Sequence, residues 1–263
     1  MTLSNNLTKA IKAALNAGEV IMEIYQSGDF SLVFKNDLSP LTKADTAAHK
    51  TIKKSLGTYL PILSEEGFNL DYSERKNWSK FWMVDPIDGT KEFIKRNGEF
   101  TINIALIENQ TPVIGVVYVP AKYVLYFAEK NLGSFKINGI KSLEDLKNSE
   151  IIDLSKSIYP KCYTIVVSKS HMNEETQKYV DKKEKDYGKI ICQSYGSSLK
   201  ICKVADGSAH CYPRFGPTME WDTAAAHAIA VFSNCTISDS NSKSEVIYNK
   251  ENLTNPFFVV ENE

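Results

Sequence analysis

Residues 82–93 read WMVDPIDGTKEF, an apolar run that meets two aspartates, Asp85 and Asp88, with Pro86 between them and Gly89-Thr90 directly after. Asp, Pro and Gly also make ordinary strand-ending turns, but a turn needs one acid at most. Two carboxylates held this close repel each other unless a cation or a proton intervenes, so the spacing raises a metal site. Further acids stand where strands end or helices begin: Glu65 and Glu66 in PILSEEG, Asp45 in TKAD and Asp222 in EWDTAAAHAIA. Singly, each has a structural reading. Asp222 suits a helix N-cap, Thr42-x-x-Asp45 suits a capping box, and Glu65 and Glu66 suit a solvated turn. Together they come with no matching His or Cys cluster, so any metal they hold has an all-oxygen shell. That shell suits Mg²⁺, which keeps several waters and takes its remaining ligands from substrate phosphate. The D-x-D-x-D-G pattern of a Ca²⁺ loop is missing.

The elements that must position these acids are legible in outline. Leu7, Ile11, Ala14, Leu15, Ile21 and Ile24 give one apolar face to a long helix over 4–27. Ala44, Ala48, Ile52 and Leu56 do the same over 43–56, with Thr42 at the N-cap and Gly57 and Pro61 closing the segment. FTINIALI, VIGVVYV and YVLYFAE are β-rich runs whose connections are too short for crossover helices, which predicts an antiparallel meander. The polar stretch around KSLEDLKNSE divides the chain into an N-terminal α+β lobe, 1–155, and a C-terminal lobe, 156–263. In the second lobe strands (YTIVV, KIICQ, AHCY, the NPFFVV tail) alternate with helices near 173–186, 198–206 and 222–233, an α/β pattern with a mixed sheet.

At 263 residues the chain has ample material for cores, and Lys+Arg 31 against Asp+Glu 32 gives a net charge of -1. That balance argues against a partner that is a nucleic-acid polymer and against a polybasic membrane binder. No stretch has the length and apolarity of a spanning helix, and the start MTLSNNLTKAIKAALNAG lacks a signal-peptide layout, so a cytoplasmic protein is expected. The five cysteines, Cys162, Cys192, Cys202, Cys211 and Cys235, never fall in C-x-x-C spacing and read as buried or idle thiols.

SEEG, WMVDPIDGTKEFIKRNGEFTINIALI, YGSSLKICKVADG and YPRFGPTMEWDTAAAHA resemble the inositol monophosphatase superfamily of Mg²⁺-dependent, lithium-sensitive phosphatases, and within it the CysQ-type 3'(2'),5'-bisphosphate nucleotidases. The resemblance runs from the first helix to the tail and is weakest over 131–160. It implies a layered α/β/α/β/α sandwich. It also implies that Glu65, Asp85 and the Ile87 carbonyl hold one Mg²⁺, that Asp85, Asp88 and Asp222 hold a second, and that Asp45 touches a third if one binds. Pro86 then fixes the bend that aims the Ile87 carbonyl inward. Thr90 and Asp45 match the family's pair that orients the attacking water, with Glu66 beyond the ligands.

The substrate implied is adenosine 3',5'-bisphosphate (PAP), cut to AMP, with its sulfated relative PAPS also accepted and a role in sulfur assimilation. Glu65, Asp88, Gly89, Thr90 and Asp222 would border the phosphate that is cut. The phosphate merely held needs cations or amide N–H groups, for which Gly196, Ser197, Ser198 and Lys200 in YGSSLK, and Arg214 in YPRFGP, are the candidates. Ser170 and His171 resemble nucleotide-side contacts, Tyr212 suits either stacking on adenine or packing, and His49 and His227 read as packing residues. Two rivals stay open: the same fold acting on inositol or another sugar phosphate, and a catalytically idle nucleotide-binding module. The family resemblance adds contact with the cytoplasmic face of a membrane as a further expectation, and the oligomeric state is left open.

Overall fold

The computed structural model of the chain describes residues 1–34, 40–67, 70–168 and 173–262. Helix α1 (Asn5–Ser27) is capped by Ser4, whose hydroxyl accepts the Leu7 N–H at 3.1 Å, and ends on Gly28 in the left-handed region. Two short strands, β1 (Val33–Phe34) and β2 (Pro40–Leu41), pair antiparallel and lead into α2 (Lys43–Leu56), which carries the capping box read from the sequence. Next come β3 (Ile62–Ser64), a 3-10 turn at Glu65–Gly67 and the single-turn helix α3 (Tyr72–Arg75). Strand β4 (Lys80–Asp88) and the short helix α4 (Thr90–Ile94) carry the paired aspartates. The meander follows as β5 (Thr101–Glu108), β6 (Thr111–Val119), β7 (Val124–Glu129), β8 (Gly133–Asn138) and β9 (Ile152–Asp153).

Strands β3 to β9 lie in chain order in one seven-stranded sheet, antiparallel except at its edge, where β3 runs parallel to β4 because α3 carries the chain back between them. The meander is longer than the β-rich runs suggested: β8 and β9 extend it to Asp153, and KSLEDLKNSE is an excursion between them with a 3-10 turn at Glu144–Lys147. The second sheet is built from β10 (Thr164–Ser168), β11 (Ile191–Tyr195), β12 (Cys211–Arg214), β13 (Cys235–Asp239) and β14 (Phe258–Asn262) in the order β11-β10-β12-β14-β13. It is parallel across β11, β10 and β12 and antiparallel across β14 and β13.

Three further helices, α5 (Glu174–Tyr187), α6 (Leu199–Ala205) and α7 (Glu220–Val231), complete the layers. Leu7, Ile11, Ala48 and Ile52 of α1 and α2 pack on Val84, Ile102, Ile104 and Val116 on one face of the first sheet. The opposite face (Met83, Ala105, Val117) shares a core with Ile201 and Cys202 of α6, Trp221, Ala225 and Ile229 of α7, and Ile237 and Phe258 of the second sheet. Val180 of α5 covers Ile165 and Val167 on the far side. Both faces of the first sheet are thus buried, which is why its strands read as continuous apolar runs. The poly-alanine face of α7 lies so close to β6 that a Cβ at Gly115 would collide with the Ala225 carbonyl. Cys202, Cys211 and Cys235 are buried and all five cysteines are unbridged.

Candidate active site

The DPID segment does not end its strand; it bulges within it. Pairing of β4 with β5 loses register between Asp85 and Asp88, and Asp85 Oδ1 accepts the Ile87 N–H at 3.0 Å, bridging Pro86, which has no N–H to offer. The Ile87 side chain is buried in the core under α1 and α2, while its carbonyl oxygen faces the Thr90 hydroxyl at 3.4 Å. Gly89 turns the chain at φ 90°, where a Cβ would be strained and would also collide with the Ser197 hydroxyl.

Asp45 reaches this bulge from the first turn of α2. Its Oδ2 accepts the N–H and hydroxyl of Thr42 at 2.7 and 2.6 Å, and its Oδ1 stands 3.3 Å from Thr90 Oγ1. One carboxylate oxygen thus serves the cap and the other faces Thr90.

The YGSSLK loop has a different place from the one expected. Gly196, Ser197 and Ser198 line the cleft, but most of their donors are engaged within the protein: Gly196 N–H donates to Glu99 Oε2 at 3.0 Å, and the Ser197 hydroxyl lies 2.9 Å from the Asp88 carbonyl and 2.6 Å from that of Glu99. Ser198 N–H donates to Asp88 Oδ2 at 2.6 Å, and its hydroxyl lies between Asp88 Oδ2 and the Asp222 carbonyl. A loop of the second sheet thus clamps an acid of the first. The physical reason is that a carboxylate offers a strong acceptor already in place, so the amides satisfy it. Asp222 is likewise not the N-cap. Helix α7 begins at Glu220 after Met219, and Asp222, two residues further on, folds its Oδ2 back onto the Met219 N–H at 2.9 Å.

Four carboxylates meet here. Burial first, then the negative charges of Glu65, Asp88 and Asp222, push Asp85 well above the ordinary carboxylate range. Loss of water contact and the charge of Asp88 do the same to Asp222. Mutual repulsion of this kind is what a cation relieves, and the donors are all oxygen, so the set fits Mg²⁺. Among the described residues no three His, Cys, Asp or Glu side chains close into a ready-made cage. An open set suits an ion that completes its shell with water and phosphate oxygen.

Beside the acids opens a cleft of ≈ 140 Å³ lined by Asp88, Gly89, Ser198, Lys200, Arg214 and Asp222 among others. Lys200 is buried, donates to the Ser197 carbonyl at 2.7 Å and is pushed down to about 8 by that burial. Arg214 donates from Nη2 to the Pro217 carbonyl at 2.9 Å, and its buried Nε has no hydrogen-bond partner among the described residues. Tyr212 packs rather than stacks on a ligand face: its ring is 2% exposed, lies under Lys200 and meets Phe258 edge-on. His49 bonds Ser64 Oγ through Nδ1 at 2.9 Å, in the electrostatic reach of Glu66, and His227 is fully buried. Ser170 and His171 lie outside the described residues.

Asn103 and Glu99 escaped sequence reasoning. Asn103, 1% exposed on β5, donates to Ser198 Oγ at 2.9 Å and reaches Asp88 Oδ2 at 3.5 Å. The signal was there in FTINIALI, a lone amide inside a strand that is otherwise apolar on both faces.

A model of the inositol monophosphatase family matches residues 3–256. The protein named 3'(2'),5'-bisphosphate nucleotidase CysQ in Salmonella typhimurium is 42% identical over 258 residues, covering 97% of this chain and 98% of that protein. Its namesake in Escherichia coli strain K12 is 40% identical over 258 residues with the same coverage. The crystal structure of CysQ from Bacteroides thetaiotaomicron, described as a bacterial member of the inositol monophosphatase family, superposes with a TM-score of 0.88 at 47% identity, covering 98% of this chain and 97% of that one. The chain belongs to the inositol monophosphatase family.

Proposed function

We propose that the protein is a Mg²⁺-dependent 3'(2'),5'-bisphosphate nucleotidase that removes the 3'-phosphate of PAP to give AMP and phosphate, and accepts PAPS. The observation that carries this reading is full-length identity of 40–47% to proteins bearing that name or its CysQ designation. A cleft lined by the acids Asp88 and Asp222 and by the cations Lys91, Lys200 and Arg214 supports it. In this reading the lobe 1–155 supplies Glu65, Asp85, the Ile87 carbonyl and Asp88, and the lobe 156–263 supplies Asp222 and the cationic wall.

Glu65, Asp85 and the Ile87 carbonyl would hold one Mg²⁺, and Asp85, Asp88 and Asp222 a second, with a third possible site toward Asp45. When bound, the ions supply positive charge to the phosphate oxygens and acidify water. The chain's own part is the proton path. Thr90 has one hydroxyl proton; donated to Asp45 Oδ1, it leaves an oxygen lone pair to accept a proton from the attacking water. As the water oxygen bonds to phosphorus the P–O3' bond breaks, the departing 3'-oxygen takes a proton from solvent to become the 3'-hydroxyl of AMP, and Asp45 ends with the proton passed on by Thr90. Glu65, Asp88, Gly89, Thr90 and Asp222 surround the reacting phosphate, while Arg214 and Lys200 hold the other, and Ser170 and His171 contact the nucleotide. Ser197 and Ser198 act on the substrate through Asp88, which they hold, and Gly196 steadies the same loop through Glu99.

No helix among the described residues is long and apolar enough to cross a membrane. We place the protein in the cytoplasm, with contact to the inner face of a membrane as an extension of the same reading. Phosphate release from PAP, PAPS, inositol 1-phosphate and fructose 1,6-bisphosphate tests the assignment: preference for PAP or PAPS supports it, preference for inositol 1-phosphate makes the protein an inositol monophosphatase, and no release from any leaves a nucleotide-binding module.

A further inference from the structure

Beside α7, His227 and Tyr248 (0% exposed), Thr223 (3%) and Asn255 (5%) are buried polar side chains. They form one chain. His227 Nδ1 meets the Tyr248 hydroxyl at 2.8 Å, that hydroxyl meets Thr223 Oγ1 at 3.2 Å, and Asn255 Nδ2 donates to Thr223 Oγ1 at 3.0 Å. Thr223 Oγ1 also lies 3.2 Å from the Glu220 carbonyl, and at one end of the chain His227 Nε2 faces Glu245 Oε1 at 3.5 Å. At the far end Asn255 Nδ2 lies 2.8 Å from the Met219 carbonyl and 3.1 Å from Thr218 Oγ1, and its backbone N–H donates to the Thr218 carbonyl. Met219 is the residue whose N–H holds Asp222 Oδ2. Asn255 therefore holds the peptides on both sides of Met219: its side chain meets the Met219 carbonyl, and its backbone N–H meets the Thr218 carbonyl, whose peptide carries the N–H that Asp222 accepts.

Buried polar groups cost stability unless every one is paired, and leucine or phenylalanine would fill the same space without that requirement. What the polar version adds is direction: each bond fixes the rotamer of the next group and, last, the peptide at the start of α7. We infer that Asn255, Thr223, Tyr248 and His227 are positioning residues that orient Asp222 and so set the affinity of the acid cluster for Mg²⁺. None of them touches the metal or the reacting phosphate in this reading, which rests on Asp222 as a metal-holding residue.

The test is calorimetric titration of Mg²⁺ into the substrate-free protein, with melting temperatures taken alongside. Asp222→Asn is the reference, Tyr248→Phe and Thr223→Val delete one hydroxyl each with little change of shape, and Thr223→Ser restores the hydroxyl. The expected result is Mg²⁺ binding about 10-fold weaker in Tyr248→Phe and Thr223→Val, as for lost outer partners of a metal ligand. Thr223→Ser should lie within about twofold of wild type, and KM for PAP at saturating Mg²⁺ should stay unchanged. If the two deletions lower the melting temperature but bind Mg²⁺ like wild type while Asp222→Asn binds weakly, the groups are packing only and the inference falls alone. If Asp222→Asn itself binds like wild type, the metal reading of Asp222 and this inference fall together.

Discussion

Thr90 Oγ1 lies 3.3 Å from Asp45 Oδ1, while the other oxygen of the same carboxylate caps helix α2 through Thr42. One acid thus anchors a helix with one oxygen and faces Thr90 with the other, and the proposed relay separates from the cap by mutation. Thr90→Ala and Asp45→Asn should each lower kcat by about 10²-fold or more, with the double variant little worse than either, because groups acting as one relay are non-additive. Multiplicative losses would refute the relay. Thr42→Ala, which touches only the cap, should cost about 1 kcal/mol in denaturant unfolding with kcat nearly intact.

Asp88 holds three donors from two other strands and loops and also faces the shared acids. Asp88→Asn keeps an acceptor for Ser198, so its circular dichroism should match wild type, while kcat falls by about 10²-fold or more through lost charge on the metals. Activity within threefold of wild type would reduce the acid pair to turn residues. The same reading expects complete loss of activity in EDTA and inhibition by lithium.

Lys200 gives a pH prediction. In the free protein its burial holds the ammonium near 8 against an ordinary 10.5, so it loses its charge as pH rises through about 8. kcat/KM for PAP should fall across that range, and Lys200→Met should be weaker at pH 7 and flat above it. For stability the sign is the reverse of a salt-bridged lysine. Between about 8 and 10.5 the unfolded chain binds the proton and the folded chain does not, so the lysine's destabilising contribution is full below 8 and fades as pH rises. The melting-temperature advantage of Lys200→Met should therefore shrink from pH 7 to pH 10. A constant difference would place the charged ammonium in good solvation.

Arg214 discriminates between substrates. It is tied at Nη2 to the Pro217 carbonyl and lines the cleft. If it holds the phosphate that is not cut, Arg214→Ala should lower kcat/KM for PAP by roughly 10- to 150-fold, mainly through KM, the loss of one charge-assisted bond of about 1.5 to 3 kcal/mol. Any side activity on a monophosphate should hardly move. Equal loss on both substrates would put Arg214 at the reacting phosphate or in the fold.

The sequence by itself determined what depends on neighbours along the chain. The helix over 4–27, the capping box at Thr42 and Asp45 and the β-rich runs were all legible, because caps and periodicity act over three or four residues. Motif spacing carried the family as well, since DPIDGT and EWDTAAAHA must each build one turn. Tertiary structure decided what happens between distant segments. Whether the amides of Gly196 and Ser198 meet a ligand or a carboxylate depends on how closely the second sheet brings them to Glu99 and Asp88, about a hundred residues earlier, which no local pattern encodes. Asn103 and the chain from His227 to Asn255 stayed hidden for the same reason. A buried polar side chain looks like an interruption in an apolar run until its partner, folded in from elsewhere, gives its hydrogen bonds somewhere to go.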